Sequence, residues 1–389
     1  MLNEAAVRET VVGRATAPVR VLHLHSGNLY GGVETFLVTL ARMRNLCPEL
    51  EPHFGLCFAG RVAAELSASG AVVHSFGGVR LSRPWTVWRA RRQLRELLRR
   101  ERFDAVICHM TWPLVVFGGT ARKAGLKVLY YAHTFYHGTE RLERLGRRFR
   151  PDLAISVSHS VGESVSQLYP GVPARVLYNP VVLTKATEAA AWRSAVRREM
   201  DVDDETAVII QVSRFEDWKG HLLHLRGLAN LRTSRPWVCW LVGGPQMEPE
   251  RRHFAVVQDA VKELGLADRV RFLGQRSDVP RLLAAADIFC QPNQGPEPFG
   301  IAFVEGLWAG LPVVSTAMGG ASEIVDPSCG VLVEPENAEA LAEALGRLIE
   351  SPRERSRLGS AGGARARLLC DPAARIDDLH KMLTDVLSQ

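Results

Sequence analysis

The stretch DIFCQPNQGPEPFGIAFVEGLWAGLPVVST (287–316) decides the fold class, because it places a longer apolar segment between two short apolar runs. Short apolar runs bounded by proline and glycine, as at 287–293 and 312–316, favour strands buried in a parallel sheet. The segment GIAFVEGLWAG (300–310) is apolar nearly all round, which predicts a buried helix. Together they predict a strand–helix–strand unit of an α/β protein.

The same alternation extends in both directions from this stretch. Strand candidates in the first half lie at 19–26, 53–59, 72–76, 104–109, 127–133, 152–158 and 174–182. Strand candidates in the second half lie at 207–213, 238–244, 270–274, 287–293, 312–316 and 330–334. Helix-like segments separate them, and 389 residues are more than one core usually holds. We therefore predict two tandem Rossmann-like, doubly wound parallel-sheet domains, 1–182 and 183–370, facing a central cleft.

Composition is that of an ordinary globular protein, with 47% hydrophobic and 23% charged residues. No apolar run approaches the roughly 20 residues that span a bilayer. The seven cysteines are scattered and never spaced as C-x-x-C, so they indicate core residues rather than disulfides or zinc ligands. This usage favours a reducing cytoplasm as the location.

Charge is distributed unevenly along the chain. Residues 1–180 carry 24 basic and 13 acidic side chains, a net of +11, whereas the remainder carries 24 and 29, a net of −5. Much of the excess lies in WRARRQLRELLRRER (88–102), where Trp88, Leu94, Leu97 and Leu98 at helical spacing predict an amphipathic helix. Its arginines indicate either a solvated helix face or attraction to an anionic membrane or substrate. Nucleic acid is a third possibility, which lacks an accompanying aromatic stacking platform.

Candidate ligand-binding residues in the first half follow two predicted strands. Gly31 and Gly32, in HSGNLYGGVETF (25–36), free the backbone just before a predicted helix, where bare N–H groups could meet an anion or a sugar. The pattern is not G-x-G-x-x-G, so dinucleotide binding is a weak interpretation. His133 ends the fifth predicted strand, where it could contact a ligand in the cleft.

In the second half, two cations lie on the loop SRFEDWKGH (213–221) that follows a predicted strand. Arg214 offers a planar guanidinium and Lys219 a compact ammonium, which together suit a diphosphate. For either residue alone, a solvated loop cation would be the favoured interpretation.

Glu297 and Glu305 flank the start of the apolar helix. A carboxylate buried at Glu305 is costly unless it finds partners, and its two oxygens suit the paired hydroxyls of a ribose or a sugar. Backbone N–H groups at Phe299, Gly300 and Ile301 are placed for a phosphate. The alternative is structural, with Glu297 capping the helix and Glu305 paired with a buried arginine.

With these residues in view, EPFGIAFVEGLWAGLPVVSTAMGGASEIV (297–325) resembles the E-x7-E block of the retaining glycosyltransferases of the GT4 family, which have the GT-B fold. The similarity covers nearly the whole chain, since the glycine loop, the histidine, YNPV, SRFEDWKG and LVGGP occur in the family's order. The resemblance implies a nucleotide-diphosphate sugar held mainly by the C-terminal domain and an acceptor held mainly by the N-terminal one. It also implies retention at the anomeric carbon, no metal or other cofactor, and a last helix (371–389) that crosses back to the first domain.

Carried over by residue, the resemblance implies catalytic roles for His133, Arg214, Lys219 and Glu297. Donor-binding positions would be Gly31, Gly32, Arg214, Lys219, Glu297, Phe299, Gly300, Ile301 and Glu305. Uridine diphosphate is the commoner donor nucleotide, and the acceptor would be a hydroxyl of a carbohydrate, a lipid-linked sugar or a small molecule, in polysaccharide or glycoconjugate biosynthesis.

Other classes stay open from the sequence. One is a non-catalytic sugar-nucleotide-binding relative, against which the intact cations and glutamates argue. Another is a phosphorylase-like GT-B enzyme, for which no pyridoxal-binding lysine motif stands out. A third is a basic protein bound at the inner face of the cytoplasmic membrane, or one bound to nucleic acid, motivated by the +11 charge of residues 1–180.

Overall fold

A computed structural model describes residues 17–28, 31–182 and 188–389. Within these ranges the chain forms two parallel sheets, each covered by helices. The first sheet contains β1 Val19–His25, β2 Leu50–Leu56, β3 Val72–Ser75, β4 Ala105–His109, β5 Lys127–Ala132, β6 Leu153–Ser156 and β7 Ala174–Val176. The second contains β8 Ala207–Val212, β9 Trp237–Val242, β10 Val270–Gly274, β11 Ile288–Gln291, β12 Val313–Thr316 and β13 Gly330–Val333. The predicted α/β class and the doubly wound sheets are therefore confirmed.

The helices follow the strands in alternation. They are α1 Gly32–Met43, α2 Arg61–Ala68, α3 Pro84–Arg100, α4 Thr111–Pro113, α5 Gly119–Lys123, α6 Arg141–Gly146, α7 His159–Leu168, α8 Ala189–Glu199, α9 His221–Ala229, α10 Glu248–Glu263, α11 Val279–Ala285, α12 Ile301–Trp308, α13 Ala321–Ile324, α14 Ala338–Glu350, α15 Pro352–Cys370 and α16 Pro372–Leu387. A π-helical turn (Leu114–Gly118) joins α4 to α5, and single 3-10 turns lie at Arg44–Leu46 and Asp217–Lys219.

The two sheets share one topology. Their strand orders are β3-β2-β1-β4-β5-β6-β7 and β10-β9-β8-β11-β12-β13, and every pairing is parallel. In each sheet the order reverses beside the first strand of the domain, between β1 and β4 and between β8 and β11. Such a switch point opens a crevice at the carboxyl ends of the strands, which is where doubly wound sheets bind ligands.

The last helix packs on the first domain. Helix α16 contacts α1, β1 and the 3-10 turn at Arg44–Leu46, while the backbone N–H of Val181 donates to the carbonyl oxygen of Cys370 at 3.0 Å, where α15 ends. The chain therefore passes between the two domains twice, once near Val181 and once near Cys370. The predicted boundary between 182 and 183 adjoins residues 183–187, outside the described residues, and stays a prediction.

A carboxylate joins the two domains directly. Glu323 in α13 accepts hydrogen bonds from the backbone N–H groups of His159 and Ser160 at 3.0 Å each, at the first turn of α7. It also accepts from the Ser160 hydroxyl at 2.9 Å and from the Tyr178 hydroxyl at 3.0 Å. An anion at a helix N-terminus is favoured by the unpaired N–H groups there, so Glu323 fixes the second domain on the first.

Helix α3 is amphipathic as predicted, but one of its predicted apolar residues lies on the wrong face. Val87, Ala90, Leu94 and Leu97 are buried, whereas Trp88 is 60% exposed. The prediction was wrong for Trp88 because the buried stripe follows residues 87, 90, 94 and 97, which leaves position 88 on the neighbouring face.

All seven cysteines are buried and free of disulfides, as the sequence predicted. Across the described ranges, we find no helix with the length and apolar character needed to cross a bilayer.

Candidate active site

A cleft of about 990 Å³ separates the carboxyl ends of the two sheets. All ten predicted site residues line it: Gly31, Gly32, His133, Arg214, Lys219, Glu297, Phe299, Gly300, Ile301 and Glu305. The structure therefore brings together residues that are up to 274 positions apart, and the ligand contacts assigned to them stay predictions.

Glu297 and Lys219 form a buried ion pair. The Lys219 Nζ lies 2.7 Å from Glu297 Oε2, which also accepts from Asn293 Nδ2 at 2.9 Å and from Gln291 Nε2 at 3.2 Å. Lys219 additionally stacks on the ring of Trp218, with Nζ 3.9 Å from the ring centre. Three donors on one oxygen fix the Glu297 carboxylate on the cleft wall.

A glycine permits this pairing. Gly220 follows Lys219 with φ +72°, and a Cβ there would lie 1.7 Å from the carbonyl oxygen of Pro292. Only glycine therefore lets the loop after β8 approach the loop after β11, which carries Glu297.

Arg214 is held by two acidic side chains rather than standing free. Its guanidinium bonds to Glu216 and lies 3.2 Å from Glu250 Oε1. Desolvation raises the pKa of Glu216. Arg214 has five N–H donors, so two carboxylate partners orient it and still leave donors for a ligand.

Glu305 has no hydrogen-bond or ion-pair partner for its carboxylate among the described residues. It lies on α12 facing the cleft, and desolvation raises its pKa from 4.5 to about 7. The arginine partner of the structural alternative is therefore missing from the described residues. The capping alternative for Glu297 is also wrong, because Gly300, with φ +104°, precedes the first residue of α12 and no side chain caps the helix.

The glycine loop faces α12 across the cleft. A Cβ on Gly32 would lie 3.9 Å from Ile301 Cδ1, so the first turns of α1 and α12 meet at the cleft. The Glu34 carboxylate organises this loop, since Oε2 accepts from Gly31 N–H at 2.8 Å and Oε1 lies 2.8 Å from His25 Nε2. Leu29 and Tyr30 of the loop lie outside the described residues.

His133 is the outermost member of a chain of three histidines. His133 Nε2 lies 2.9 Å from His109 Nδ1, and His109 Nε2 lies 2.9 Å from His23 Nδ1. Burial lowers the pKa of His133 and of His23 to about 3, and that of His109 well below its usual value. All three rings are therefore neutral at neutral pH, and each has one N–H and one bare nitrogen.

The chain couples the tautomers of these rings. His23 Nε2 is buried and finds no hydrogen-bond partner in residues 17–28, 31–182 and 188–389, and an unpaired N–H there would cost more than an unpaired lone pair. With Nε2 bare, His23 donates to His109, His109 donates to His133 Nε2, and His133 keeps its proton on Nδ1. The network thus favours a neutral N–H donor at the cleft, suited to an oxygen of a bound sugar.

Sequence reasoning missed the histidines behind His133 and the acids beside Arg214. A signal for the first group was present, since His109 ends β4, His23 lies in β1, and β1, β4 and β5 are neighbours in the sheet. Glu250 left no such signal, because it lies in α10, 36 residues along the chain from Arg214, and meets it only through the fold.

Comparison with known proteins identifies the family. Residues 193–365 match the family described as Glycosyl transferases group 1, and residues 30–185 match Glycosyltransferase Family 4. These two matches cover both domains and the cleft between them. The chain is a GT4-type glycosyltransferase.

Relatives of this glycosyltransferase act on varied glycoconjugates. It is 27% identical over 383 residues to the GDP-mannose-dependent monoacylated alpha-(1-6)-phosphatidylinositol monomannoside mannosyltransferase of Corynebacterium glutamicum, covering 92% of this chain and 93% of the relative. It is 28% identical over 355 residues to the lipopolysaccharide core biosynthesis glycosyltransferase LpsD of Rhizobium meliloti, covering 89% and 92%.

Solved structures agree on the fold. HepE of Anabaena, crystallised with UDP and glucose, superimposes with a TM-score of 0.81 at 24% identity, over 94% of this chain and 99% of HepE. WaaG, a glycosyltransferase of lipopolysaccharide biosynthesis, superimposes with a TM-score of 0.69 at 18% identity, over 94% and 100%. The GT-B architecture of this glycosyltransferase is thereby confirmed.

Proposed function

We propose that this GT4-type glycosyltransferase moves a sugar from a nucleotide-diphosphate sugar to an acceptor hydroxyl with retention at the anomeric carbon and without a metal. One observation carries the proposal: at the carboxyl ends of facing sheets, the cleft gathers two oriented cations, one neutral histidine and one carboxylate without a partner in the described part of the chain. These groups match, in number and kind, the diphosphate, ribose and sugar of such a donor.

The donor would bind along the second sheet. Arg214 and the Lys219 ammonium, which has three donors and gives one to Glu297, would face the diphosphate beside the first turn of α12. Glu305 would accept from the two ribose hydroxyls, which supply hydrogen bonds that the described residues do not give its carboxylate. His133 would donate from Nδ1 to the sugar, across the cleft from the phosphates.

Charge stabilisation of the leaving group supplies the catalysis in this proposal. As the bond from the sugar to the diphosphate breaks, negative charge grows on the phosphate oxygens, where the cations and the α12 N–H groups are already oriented. The Glu297 carboxylate is held by three donors, which favours contact with sugar hydroxyls over a role as a nucleophile. In this proposal the leaving phosphate takes the proton of the acceptor hydroxyl. The hydroxyl therefore attacks from the face of the sugar that the phosphate leaves, and the anomeric configuration is retained.

The test is thermal stabilisation by UDP, GDP, ADP and dTDP sugars, with Glu305→Gln and Lys219→Ala beside the parent. A donor at about a hundred times its dissociation constant adds on the order of 2.7 kcal/mol. We expect one nucleotide to stabilise the parent and neither variant, with uridine diphosphate favoured and guanosine diphosphate as the alternative given the Corynebacterium relative. Stabilisation by no nucleotide contradicts the proposal.

The anomeric configuration of the product, read by NMR with and without EDTA, then tests retention and independence from metal.

We further propose a lipid-linked acceptor met at the inner face of the cytoplasmic membrane. Leu81, Trp85 and Trp88 around the start of α3 are 39%, 66% and 60% exposed, in a segment that also carries the exposed Arg83 and Arg89. Exposed tryptophans among arginines are typical of surfaces that insert between anionic headgroups. The two relatives named above act on a phosphatidylinositol mannoside and in lipopolysaccharide core synthesis, which supports this class of acceptor.

Co-sedimentation with anionic and neutral liposomes tests the membrane proposal. We expect binding to anionic vesicles at low salt and its loss in a Trp85→Ser/Trp88→Ser variant. Equal behaviour of parent and variant, or no binding at low salt, contradicts it. The donor panel above is unaffected by this outcome, because the patch lies outside the cleft.

A further inference from the structure

A second cluster of titratable side chains lies away from the cleft, on β2, β3 and the end of α3. His53 Nδ1 lies 3.1 Å from His74 Nε2 and 3.7 Å from Glu101 Oε2. These three ligand atoms all lie within 4.8 Å of one another. None of the three residues lines the cleft, so the sugar-transfer site makes no use of them.

We propose that His53, His74 and Glu101 form a structural zinc site. Zinc bound tetrahedrally at about 2.0 to 2.2 Å from nitrogen and oxygen places its ligand atoms about 3.3 Å apart. The observed 3.1 and 3.7 Å separations lie on either side of that value. Two imidazoles and one carboxylate are a ligand set that suits zinc, and a water would complete the tetrahedron.

The surroundings of His53 set the protonation that such a site needs. Its Nε2 lies 2.7 Å from Glu51 Oε1 and 3.2 Å from Arg20 Nη2. The carboxylate can only accept and is the closer of the two groups, so Nε2 carries the proton and donates it to Glu51. Nδ1 is then bare and directed at the His74 and Glu101 side. A carboxylate behind a ligating histidine is the usual outer partner in zinc sites, because it fixes the tautomer and strengthens the ligand.

Charge and shape also fit a dication. Arg20 donates to Glu51 at 3.0 Å and to Glu101 at 3.2 Å, so one cation stands against two carboxylates and the local charge is −1. The imidazoles of His53 and His74 are stacked with 10° between their planes, and Phe103 packs edge-on against both. His74 and Glu101 are partly exposed, so an ion can reach the cluster from solvent.

Bound there, zinc would tie together three segments: β2, β3 and the residue that follows α3. Strand β3 is the edge of the first sheet and has exposed residues at both of its ends. The ion would stabilise this edge without touching the transferred sugar.

The test is zinc titration of the chelator-stripped full chain by calorimetry, against a weak competing chelator. We expect one zinc ion per chain for the parent. His74→Gln and Glu101→Gln should each bind at least tenfold more weakly, and Glu51→Gln, which leaves the three ligands in place, about 10- to 100-fold more weakly. His380→Gln, a histidine on α16 outside the cluster, is the matched control and should bind like the parent.

Cobalt gives a second readout. Replacement of zinc by Co²⁺ should produce the visible absorption of a tetrahedral site in the parent and in His380→Gln, and not in His74→Gln. Nucleotide-induced thermal stabilisation checks that each variant is folded. The proposal is overturned if the stripped parent binds no zinc, or if His74→Gln and His380→Gln bind it equally, and the three side chains are then an ordinary hydrogen-bonded group.

Discussion

Replacing Glu305 by glutamine should make this glycosyltransferase more stable while removing its hold on the donor. The carboxylate is desolvated on α12 and has no donor among the described residues, so the folded state raises its pKa from 4.5 to about 7. Each pKa unit corresponds to about 1.4 kcal/mol, so the ionised form of Glu305 costs the folded state on the order of 3 kcal/mol. Glutamine cannot ionise and escapes that cost.

The sign of the pH dependence follows from the raised pKa. Below pH 4 the carboxyl is protonated in both folded and unfolded chains, and Glu305→Gln should differ little from the parent in its free energy of unfolding. Between pH 4.5 and 7 the unfolded chain loses the proton first, so the parent loses stability relative to the variant. Above pH 7 the difference should level off at about 3 kcal/mol in favour of the variant.

Urea unfolding of both proteins from pH 4 to 8 measures this difference, with Glu263→Gln as the control for net charge, because Glu263 is exposed at the end of α10. A difference that stays constant across this range would refute the reasoning, since the carboxylate would then be solvated or paired.

Donor binding should show the linked effect. Hydroxyls that donate to Glu305 favour its ionised form, so the affinity of the parent for the donor should rise from pH 5 to 7.

Three further variants test the contacts that build the cleft. Lys219→Met leaves Glu297 buried without its cation and should lower the free energy of unfolding by about 3 to 5 kcal/mol in urea, and adding Glu297→Gln should restore part of it. Gly220→Ala forces a Cβ against a carbonyl oxygen at 1.7 Å and should reduce the soluble, folded yield severely, whereas Gly265→Ala, with the same sign of φ and open space around it, should cost only about 1 kcal/mol in thermal unfolding. Glu323→Gln weakens four hydrogen bonds between the domains, so calorimetry should show a loss of about 2 kcal/mol and two separated transitions in place of one. Unchanged unfolding of Lys219→Met or Glu323→Gln, or equal yields of the two alanine variants, would contradict the corresponding contact.

Most strand positions could be predicted from the sequence, because each strand is a short apolar run bounded by turn residues. For β10 the predicted and observed ends coincide, and for β1 they differ by one residue. The predicted bounds 53–59 and 174–182 were wrong, because β2 lies three residues earlier and β7 already ends at Val176. Trp88 was a further exception, since its spacing fitted a helix but its face depended on where α3 meets the sheet.

The candidate site was predicted in outline and corrected in its electrostatics. Arg214 and Lys219 read as two loop cations for a diphosphate, yet each is paired with carboxylates that orient it. Glu297 and Glu305 were both predicted to bind the donor, yet one accepts three hydrogen bonds and the other accepts none from the described residues. Distance along the chain hides such pairs, since Lys219 and Glu297 are 78 residues apart.

By itself, the sequence determined the α/β class, the two-domain plan and the strand ends where chemistry lies, because hydrophobic periodicity and turn residues act over a few positions. Tertiary structure alone decided which strand ends are neighbours. The order β1-β4-β5 brings His23, 86 residues away along the chain, against His109, and so sets the tautomer of His133 at the cleft. Crossover connections and the partners available to each buried polar group fix these contacts, and both depend on the whole packed chain rather than on any local pattern.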